Sequence, residues 1–389
     1  MSNDTFTEVS SQSWLSRIGG SVKGIFFGLI LIVIAFGLLF WNEGRAVKRT
    51  KTLKEGGGAV IAINASVIDA GNEGQLVHLS GHADTTETLS DSTFGVSTQA
   101  LKLIRTVEMY QWEEETSSET KKKVGGKTET VTTYNYTKEW SSSLNESGRF
   151  KHPEGHQNPS AMSYSSTESV AETITLGGFR LSPSLVARIN NSTGLSIPAD
   201  HAIPEALGNQ ARLNSGGFYI GPNPSDPQIG DLRITFSEVQ PTDVSIVARQ
   251  VSDTFEPYLT KVGGTIELLQ NGTVSAEAMF QQAQQSNTIM TWVLRAVGFF
   301  LMFLGFKMLF GPLEIVADVL PLAGTIVGAG ISVVSFLTAL ALSLLTIAIA
   351  WVVFRPLLGI TLLVIVVAIV VLVVRKLKKV ELPPLPQTP

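Results

Sequence analysis

The chain has 389 residues, of which 16% are Asp, Glu, Lys or Arg, against the ~25% typical of a soluble globular protein. The formal net charge is −4, and no broad basic patch is visible, which argues against a nucleic-acid partner. Because the chain has no cysteine, disulfides, thiolate metal sites and thiol nucleophiles are excluded. Long uncharged runs account for the low charge and indicate a membrane protein rather than a cytosolic enzyme.

The first apolar run follows a polar tail over residues 1–23. Residues 24–41 are uncharged, and this length approaches the ~20 residues that a helix needs to cross the hydrocarbon layer. The run ends in Trp41, Asn42 and Glu43, which do not form the small-x-small site at which signal peptides are cleaved. The sequence therefore predicts a retained transmembrane helix 1 over residues 24–41.

The C-terminal part predicts three more transmembrane helices. Residues 274–290 are predicted to form a helix that leads into the second span, residues 291–311, in which Arg295 and Lys307 can snorkel from the ends. Residues 319–354 carry no charge, and this uncharged run is too long for one membrane crossing and short for two. The remaining assignments are an interfacial or re-entrant segment at 312–327, spans 3 and 4 at 328–354 and 357–374, and a basic, then Pro-rich tail at 375–389.

Three tryptophans test this arrangement, because tryptophan favours the headgroup level of a bilayer. With four alternating spans, Trp41, Trp292 and Trp351 all lie on the side of the large insert, as membrane-interface anchors. The orientation stays open at this point, because basic residues follow span 4 and also crowd the insert side of span 1.

The insert, residues 42–273, reads as mainly β. It contains short runs rich in β-branched and aromatic residues, separated by Gly, Pro, Asn and Ser clusters: 60–69, 75–82, 105–115, 129–140, 172–181, 231–239, 243–251 and 264–269. Residues 107–115 and 129–140 predict a hairpin around a solvated loop at 116–128. The predicted fold is therefore a membrane α-helical protein, with one N-terminal and three C-terminal helices, carrying a large mainly-β domain of sandwich or barrel type.

Few residues suggest chemistry. His78 and His82 would be ~13 Å apart on a strand, too far for one metal ion, and Pro153 lies between His152 and His156 and disfavours the helix that would bring them together. Local alternation of Ser80, His82 and Asp84 does not make a catalytic triad, which converges from separate segments. We therefore predict no catalytic, cofactor-binding or metal-binding residue, no small-molecule substrate, and a protein that is not an enzyme.

Two acids lie at the membrane edge. Glu314 and Asp318 are one helical turn apart and share a face next to Lys307. They could belong to an ion or proton pathway, but a juxtamembrane pair that faces water or binds the lysine is the simpler interpretation. Further along, the spacing of Gly324 and Gly328 is typical of a small-residue face that permits close helix contact.

Seven motifs in order resemble the LUMA family, also called transmembrane protein 43. The likeness extends from about residue 20 to 380 and includes these segments: 41–46 (WNEGRA), 72–78 (NEGQLVH), 107–112 (VEMYQW), 158–162 (NPSAM), 230–233 (GDLR), 247–250 (VARQ) and 292–296 (WVLRA). The resemblance implies that both termini are cytoplasmic and that the insert is lumenal, or periplasmic in a bacterium. It also implies self-association, a part in organising membrane protein complexes, and no catalytic residues. In animals the family is placed in the endoplasmic reticulum and inner nuclear membrane, with emerin and lamins as partners.

The family motifs contain charges at the membrane interface. Glu43 and Arg45 lie where helix 1 leaves the membrane, and Arg295 lies where helix 2 enters it. We expect an ion pair between Glu43 and Arg295, or between Arg45 and Glu108, and a structural salt bridge for Glu108 in any case. The function predicted is a non-enzymatic scaffold that self-associates and contacts the lipid bilayer and other membrane proteins. The alternative is an ion channel or transporter component that uses the C-terminal helices.

Overall fold

The structure is a computed structural model that describes residues 4–357, 359–361, 364 and 371. The chain divides into two compact units, which we call the β unit and the helical unit. The β unit comprises Thr52–Lys121, Thr128–Ala283 and the N-terminal residues as far as Ser11. The helical unit comprises Gln12–Lys51, Lys122–Lys127 and the described chain from Gln284 onward.

The elements are numbered in chain order. The strands are β1 (Asp4–Gln12), β2 (Ile61–Ala62), β3 (Leu76–Asp84), β4 (Leu89–Asp91), β5 (Val96–Thr98), β6 (Lys102–Lys122), β7 (Thr128–Ser141), β8 (Thr167–Val170), β9 (Thr175–Leu176), β10 (Phe179–Arg180), β11 (Thr193–Leu195), β12 (Ala211–Asn214), β13 (Gly217–Ile220), β14 (Leu232–Val239), β15 (Thr242–Val251), β16 (Thr254–Glu256), β17 (Tyr258–Leu259), β18 (Thr265–Ile266) and β19 (Leu268–Asn271). The α-helices are α1 (Trp14–Ala59), α2 (Pro183–Val186), α3 (Ala276–Ala317) and α4 (Pro321–Phe354).

Two sheets form the β unit. The larger has the order β1-β7-β6-β14-β13-β12, with β8 beside β6 and β11 beside β14. The smaller has the order β10-β9-β3-β15-β16, with β2 beside β3 and β19 beside β15. The longest antiparallel pairings run from Leu232 opposite Met109 to Val239 opposite Lys102, and from Thr242 opposite Ala83 to Arg249 opposite Leu76.

Alternation along the strands explains the core between the sheets. In β14 the buried Leu232, Ile234 and Phe236 alternate with exposed Arg233 and Thr235. These side chains join one hydrophobic cluster with residues of β3, β6, β13 and β15. Because side chains on a strand point alternately to the two faces, this pattern buries one face of the larger sheet. In the smaller sheet Val247 of β15 points away from this cluster and is buried in a second one with Leu53 and Phe280. The predicted mainly-β domain is confirmed.

Helices α1, α3 and α4 are each long and apolar enough to cross a membrane. Ala35, Leu39, Met302 and Ala339 form a small buried cluster among them, while many other large apolar side chains are exposed. A helix that exposes apolar side chains over so much of its surface is suited to lipid rather than to water. The predicted combination of an N-terminal helix, C-terminal apolar helices and a β domain is therefore confirmed. Most of the predicted fourth span, 357–374, and the tail 375–389 lie outside the described residues.

Several elements differ in extent from the predicted segments. Residues 312–327 are divided between two helices, since α3 continues through Pro312 to Ala317 and α4 begins at Pro321. Only Ile61–Ala62 is a strand within 60–69, and residues 172–181 give the two-residue strands β9 and β10. The α1 helix is also much longer than residues 24–41, because its polar ends continue the helix beyond the apolar run.

The N-terminal residues and the hairpin differ most from expectation. Residues 4–12, predicted to belong to a tail, form β1 at the edge of the larger sheet, where Phe6 stacks on His152 and Asp4 contacts His156. The predicted loop at 116–128 is shorter, because β6 continues to Lys122 and β7 begins at Thr128. Hydroxyl pairs across the hairpin, such as Thr120 with Thr130 at 2.9 Å, support the added length.

Candidate functional site

One end of the helical unit contains a buried carboxylate, Glu43 of α1. Its side chain is fully buried, and its Oε1 accepts a hydrogen bond from Nε of Arg295 at 2.7 Å. Its Oε2 accepts one from the indole Nε1 of Trp351 at 2.8 Å. We call Glu43, Arg295 and Trp351 the Glu43 cluster. Two charge-assisted or polar hydrogen bonds satisfy the carboxylate, which is the condition for burying a charge without a prohibitive desolvation cost. The expected Glu43–Arg295 contact is thus present.

Arg45, two residues further along α1, takes part in a polar network. Its guanidinium donates to Oδ1 of Asn42, to Oδ1 of Asn287 at 3.0 Å and to Oγ1 of Thr291 at 3.0 Å. The amide of Asn42 in turn donates to the carbonyl of Thr291. Amide and hydroxyl groups therefore bind α1 to α3 at this end of the helical unit, next to the ion pair.

The alternative pairing of Arg45 with Glu108 is wrong. Glu108 of β6 receives two hydrogen bonds from Arg233 of β14, at 2.6 and 3.0 Å. The register of the sheet explains this choice, because Arg233 is the residue directly opposite Glu108. Glu108 therefore belongs to a cross-strand salt bridge within the β unit.

The other end of the helical unit contains a second set of charges, which we call the Asp318 cluster: Arg17, Lys122, Glu314 and Asp318. Nζ of Lys122 lies 2.9 Å from Oε1 of Glu314 and 2.7 Å from Oδ1 of Asp318. Arg17 contacts the other carboxylate oxygen of Asp318 and donates to the carbonyl of Gly126. The acids at the membrane edge therefore pair with two distant bases and not with Lys307, which is exposed on α3.

The pairing determines the ionisation of the Asp318 cluster. Burial of Asp318 works against its charge, but hydrogen bonds from Lys122 and Arg17 outweigh burial and hold the pKa of this carboxyl below its ordinary value of 3.8. A lowered pKa means that the cluster contributes stability at neutral pH and loses it only as the pH falls below 3.8. Burial likewise opposes the charge of Lys122, yet its two carboxylate partners raise the pKa of this amine.

The two clusters lie on either side of the apolar run of α1. Arg17 and Glu43 are separated by about 26 residues of one helix, or ~39 Å at ~1.5 Å per residue. This separation spans the hydrocarbon layer and part of both headgroup regions. Trp41, Trp292 and Trp351, the predicted interface anchors, are all at the Glu43 end: the guanidinium of Arg295 lies 4.7 Å from the ring of Trp292 and 5.7 Å from that of Trp351. Their depth in a bilayer stays a prediction.

Glycines permit close packing of the helices between these ends. A Cβ on Gly28 of α1 would lie 2.6 Å from the carbonyl oxygen of Gly305, and one on Gly305 would lie 2.8 Å from that of Gly28. Gly324 and Gly328 of α4 lie against the side chains of Asp318 and Glu314. Both pairs of glycines therefore admit a neighbour that a larger residue would displace.

Among the described residues each histidine discussed above has a separate hydrogen-bond or ring partner. Nε2 of His78 bonds the carbonyl of Val274, and Nδ1 of His82 lies 2.8 Å from Asp243. His156 stacks on Tyr136 and contacts Asp4, close to His152. No group of three or more potential metal ligands occurs in the part of the chain that the structure describes.

Sequence reasoning missed the partners that complete both clusters. Arg17 and Lys122 read as solvated charges in a tail and a loop, and Asn287 reads as an ordinary polar residue of a helix. No local pattern could pair Lys122 with Asp318, 196 residues later. A usable signal was present for Asn42 and Asn287, because amides beside a predicted membrane span are candidates for hydrogen bonds between helices.

The comparisons with known proteins agree with the motifs. The family model described as Transmembrane protein 43 matches residues 109–356. The chain is 37% identical to mouse transmembrane protein 43 over 363 residues, covering 90% of this chain and 89% of the relative. It is 36% identical to the human protein over 360 residues (90% and 88%), and 30% identical to a Drosophila melanogaster homolog over 349 residues (87% and 90%). No solved structure matches the chain. The chain is therefore a member of the transmembrane protein 43 family and an integral membrane protein.

Proposed function

We propose that the chain is a non-enzymatic membrane scaffold that self-associates through its β unit and holds other membrane proteins together. The observation that carries the proposal is the open edge of the larger sheet. Strand β12 ends this sheet, and among the described residues it pairs with β13 alone. An edge strand presents unpaired backbone groups that a strand of another chain can bind. A membrane-anchored domain with such an edge is suited to lateral association.

The geometry of the charged residues favours a structural role. Glu314 and Asp318 are the acids that a channel or transporter in the C-terminal helices would use, and both are bound to Lys122. Glu43, whose side chain is fully buried like that of Asp318, is held by Arg295 and Trp351. Because each acid has a strong partner, these groups support the fixing of helices more than the passage of ions.

The proposed location follows from the family. We infer that the body of the β unit is outside the cytoplasm: in the periplasm of a bacterial cytoplasmic membrane, or in the lumen of the endoplasmic reticulum and the inner nuclear membrane of a eukaryote. Membrane proteins that assemble with this one would therefore meet the β unit on that side.

The mass of the purified full chain in detergent tests self-association. We expect light scattering coupled to size separation to give a protein mass of at least two chains, after subtraction of detergent and lipid. A single-chain mass at every concentration would contradict the proposal.

A cysteine at the sheet edge tests the surface involved. Arg212 on β12 is exposed, and because the chain has no native cysteine, Arg212→Cys gives a single thiol. We expect a short bis-maleimide to link two R212C chains in the membrane, while the matched variant Asp253→Cys, exposed in the turn between β15 and β16 of the smaller sheet, stays unlinked. An oligomer in which neither variant is linked would place the interface elsewhere.

A further inference from the structure

A cavity of about 660 Å³ opens at the Glu43 end of the helical unit. Helices α1, α3 and α4 and the residues directly after α4 line it. Its volume falls within the range of small-molecule sites, and neither the interhelical packing nor the proposed scaffold accounts for it. The cavity therefore needs an explanation of its own.

The charge of the lining is positive. Lys51 of α1, Arg295 of α3 and Arg355 after α4 contribute to it, and no acid is among its described lining residues. Arg295 donates to Glu43 from its Nε. Within the described residues this is the only nitrogen of Arg295 that donates a hydrogen bond. The outer nitrogens of the guanidinium are thus oriented by the ion pair, as a site for an anion requires.

Aromatic rings hold the arginines in place. The guanidinium of Arg295 lies over Trp292 and Trp351, and that of Arg355 lies 6.0 Å from the ring centre of Trp351. Stacking on a ring restricts a guanidinium without consuming its hydrogen-bond donors. Two cationic groups are therefore fixed on one aromatic wall, next to apolar Phe354 and Leu357.

The position of the cavity along the helices matches the headgroup level. Ala46, Thr50 and Lys51 follow the apolar run of α1 within three turns, and Trp292 and Trp351 border the apolar runs of α3 and α4. At this depth a membrane protein meets phosphate groups, with acyl chains on the inner side. Cationic and apolar lining residues are both present, as an amphiphilic anion requires.

We propose that this cavity binds the headgroup of one anionic phospholipid per chain. Lys51, Arg295 and Arg355 contact the phosphate and the second anionic group, Trp292 and Trp351 pack against the glycerol region, and Phe354 and Leu357 contact the start of an acyl chain. The lipid is recognised by its negative charge at the bilayer interface, and the proposal does not depend on self-association.

The test is lipid binding to the purified, delipidated full chain in detergent, followed by native mass spectrometry. The probes are phosphatidylserine, phosphatidylcholine with the same acyl chains, and inorganic phosphate. We expect one phosphatidylserine per chain, retained at a collision energy that removes phosphatidylcholine. The double variant Lys51→Gln with Arg355→Gln should weaken the binding of phosphatidylserine about 30-fold, since each base near the surface contributes about a factor of five in affinity.

Matched variants separate a site from general charge. Lys48→Gln removes an exposed base of α1 that does not line the cavity and should leave binding unchanged. Thr288→Trp keeps every charge but fills the cavity from α3, and should abolish binding. Arg355→Lys should restore part of the affinity lost in Arg355→Gln. The elution volume and the unfolding midpoint of each variant show that it is folded.

Each contrary result overturns the proposal. Equal retention of phosphatidylcholine would mean that the cavity selects acyl chains only. Competition by millimolar inorganic phosphate that displaces the lipid completely would indicate a site for free phosphate. If K48Q lost as much phosphatidylserine binding as the double variant, or if T288W bound the lipid fully, the lipid would bind to the outer surface of the helices.

Discussion

Glu43 is a fully buried carboxylate whose stability depends on a partner from another helix. Nε of Arg295 lies 2.7 Å away, and the arginine side chain is itself only 14% exposed. In such a pair, attraction offsets the loss of hydration only while both members are present. The pair therefore fixes α1 against α3 more through the cost of separating the charges than through a large net gain.

Replacement of Arg295 by methionine tests this account. Arg295→Met keeps most of the side-chain length but leaves the Glu43 charge buried without its cation, which costs about 3–5 kcal/mol for pairs of this kind. We expect a marked fall in the thermal unfolding midpoint in detergent. Adding Glu43→Gln to the same chain should recover much of the loss, because the charge is then removed.

An exposed pair supplies the control. Arg233→Met breaks the salt bridge to Glu108, whose members are 45% and 23% exposed, and should cost less than about 1 kcal/mol. If R295M and R233M lowered the midpoint equally, burial would not be the source of the strength of the Glu43 cluster.

At the level of the elements, α1 and α3 approach most closely at Gly28 and Gly305. Each glycine would place a Cβ less than 3 Å from the backbone oxygen of the other. Backbones that come this close gain contacts along both helices, which is the main source of helix association in lipid.

Gly28→Leu should separate α1 from α3. The new side chain has no space between the helices, so we expect a lower unfolding midpoint and loss of a cross-link engineered between them. Gly37→Leu is the matched control, because nothing lies within 4 Å of a Cβ at Gly37 on the same helix. Equal stability of G28L and G37L would show that this crossing contributes little.

Sequence reasoning predicted elements well where a periodic or apolar signal decides them. The spans of α1, α3 and α4 follow from apolar length, and β14 from strict alternation. The segment 312–327 was predicted from the length of the uncharged run, which does not show where one helix ends and the next begins. In the structure α3 continues through Pro312, as neighbouring helices allow in a membrane helix. Strand β1 was missed because its polar composition is typical of a tail and its partner β7 supplies the pairing.

For the whole molecule, the hairpin tip raises a question of topology. The predicted topology places residues 42–273 on one side of the membrane and residues 1–23 on the other. In the helical unit, however, Lys122 binds Asp318, and the amide of Gly125 donates to the carbonyl of Val319, at the end where α1 begins. The tip is thus at the Arg17 end of α1, although the chain enters the insert from the Glu43 end.

Single cysteines decide between these arrangements. Gln12→Cys and Val124→Cys introduce exposed thiols at the same end of the helical unit, and Ser225→Cys reports on the β unit. We expect an impermeant maleimide to label Q12C and V124C from the same side, and S225C from the extracytoplasmic side.

The opposite pattern has a clear meaning. Suppose that V124C were labelled from the same side as S225C and not from the side of Q12C. The hairpin tip would then separate from the Asp318 cluster when the protein is in a bilayer, and the predicted topology, with residues 42–273 on one side, would be correct. If V124C were instead labelled from the same side as Q12C, protein would have to shield the long strands β6 and β7 from lipid. Lipid does not tolerate an unpaired strand edge.

The sites were less predictable than the fold for a physical reason. Both clusters join residues that are distant along the chain, such as Arg17 with Asp318 and Glu43 with Trp351. Local patterns locate charges at membrane edges, as they did for Glu43, Arg295 and Asp318. Which charges meet depends on the order in which helices pack, and no local spacing contains this information.

The separation of Glu43 from its partners along the chain also has a consequence during synthesis of the protein. Arg295 follows Glu43 by 252 residues and Trp351 by 308. At ~5–20 residues per second, a newly inserted α1 waits roughly 13–50 s before the ribosome supplies Arg295. Until then the acid needs water or the insertion machinery as a substitute. A chain whose synthesis stops in this interval therefore never gains the two partners that satisfy this acid in the folded protein.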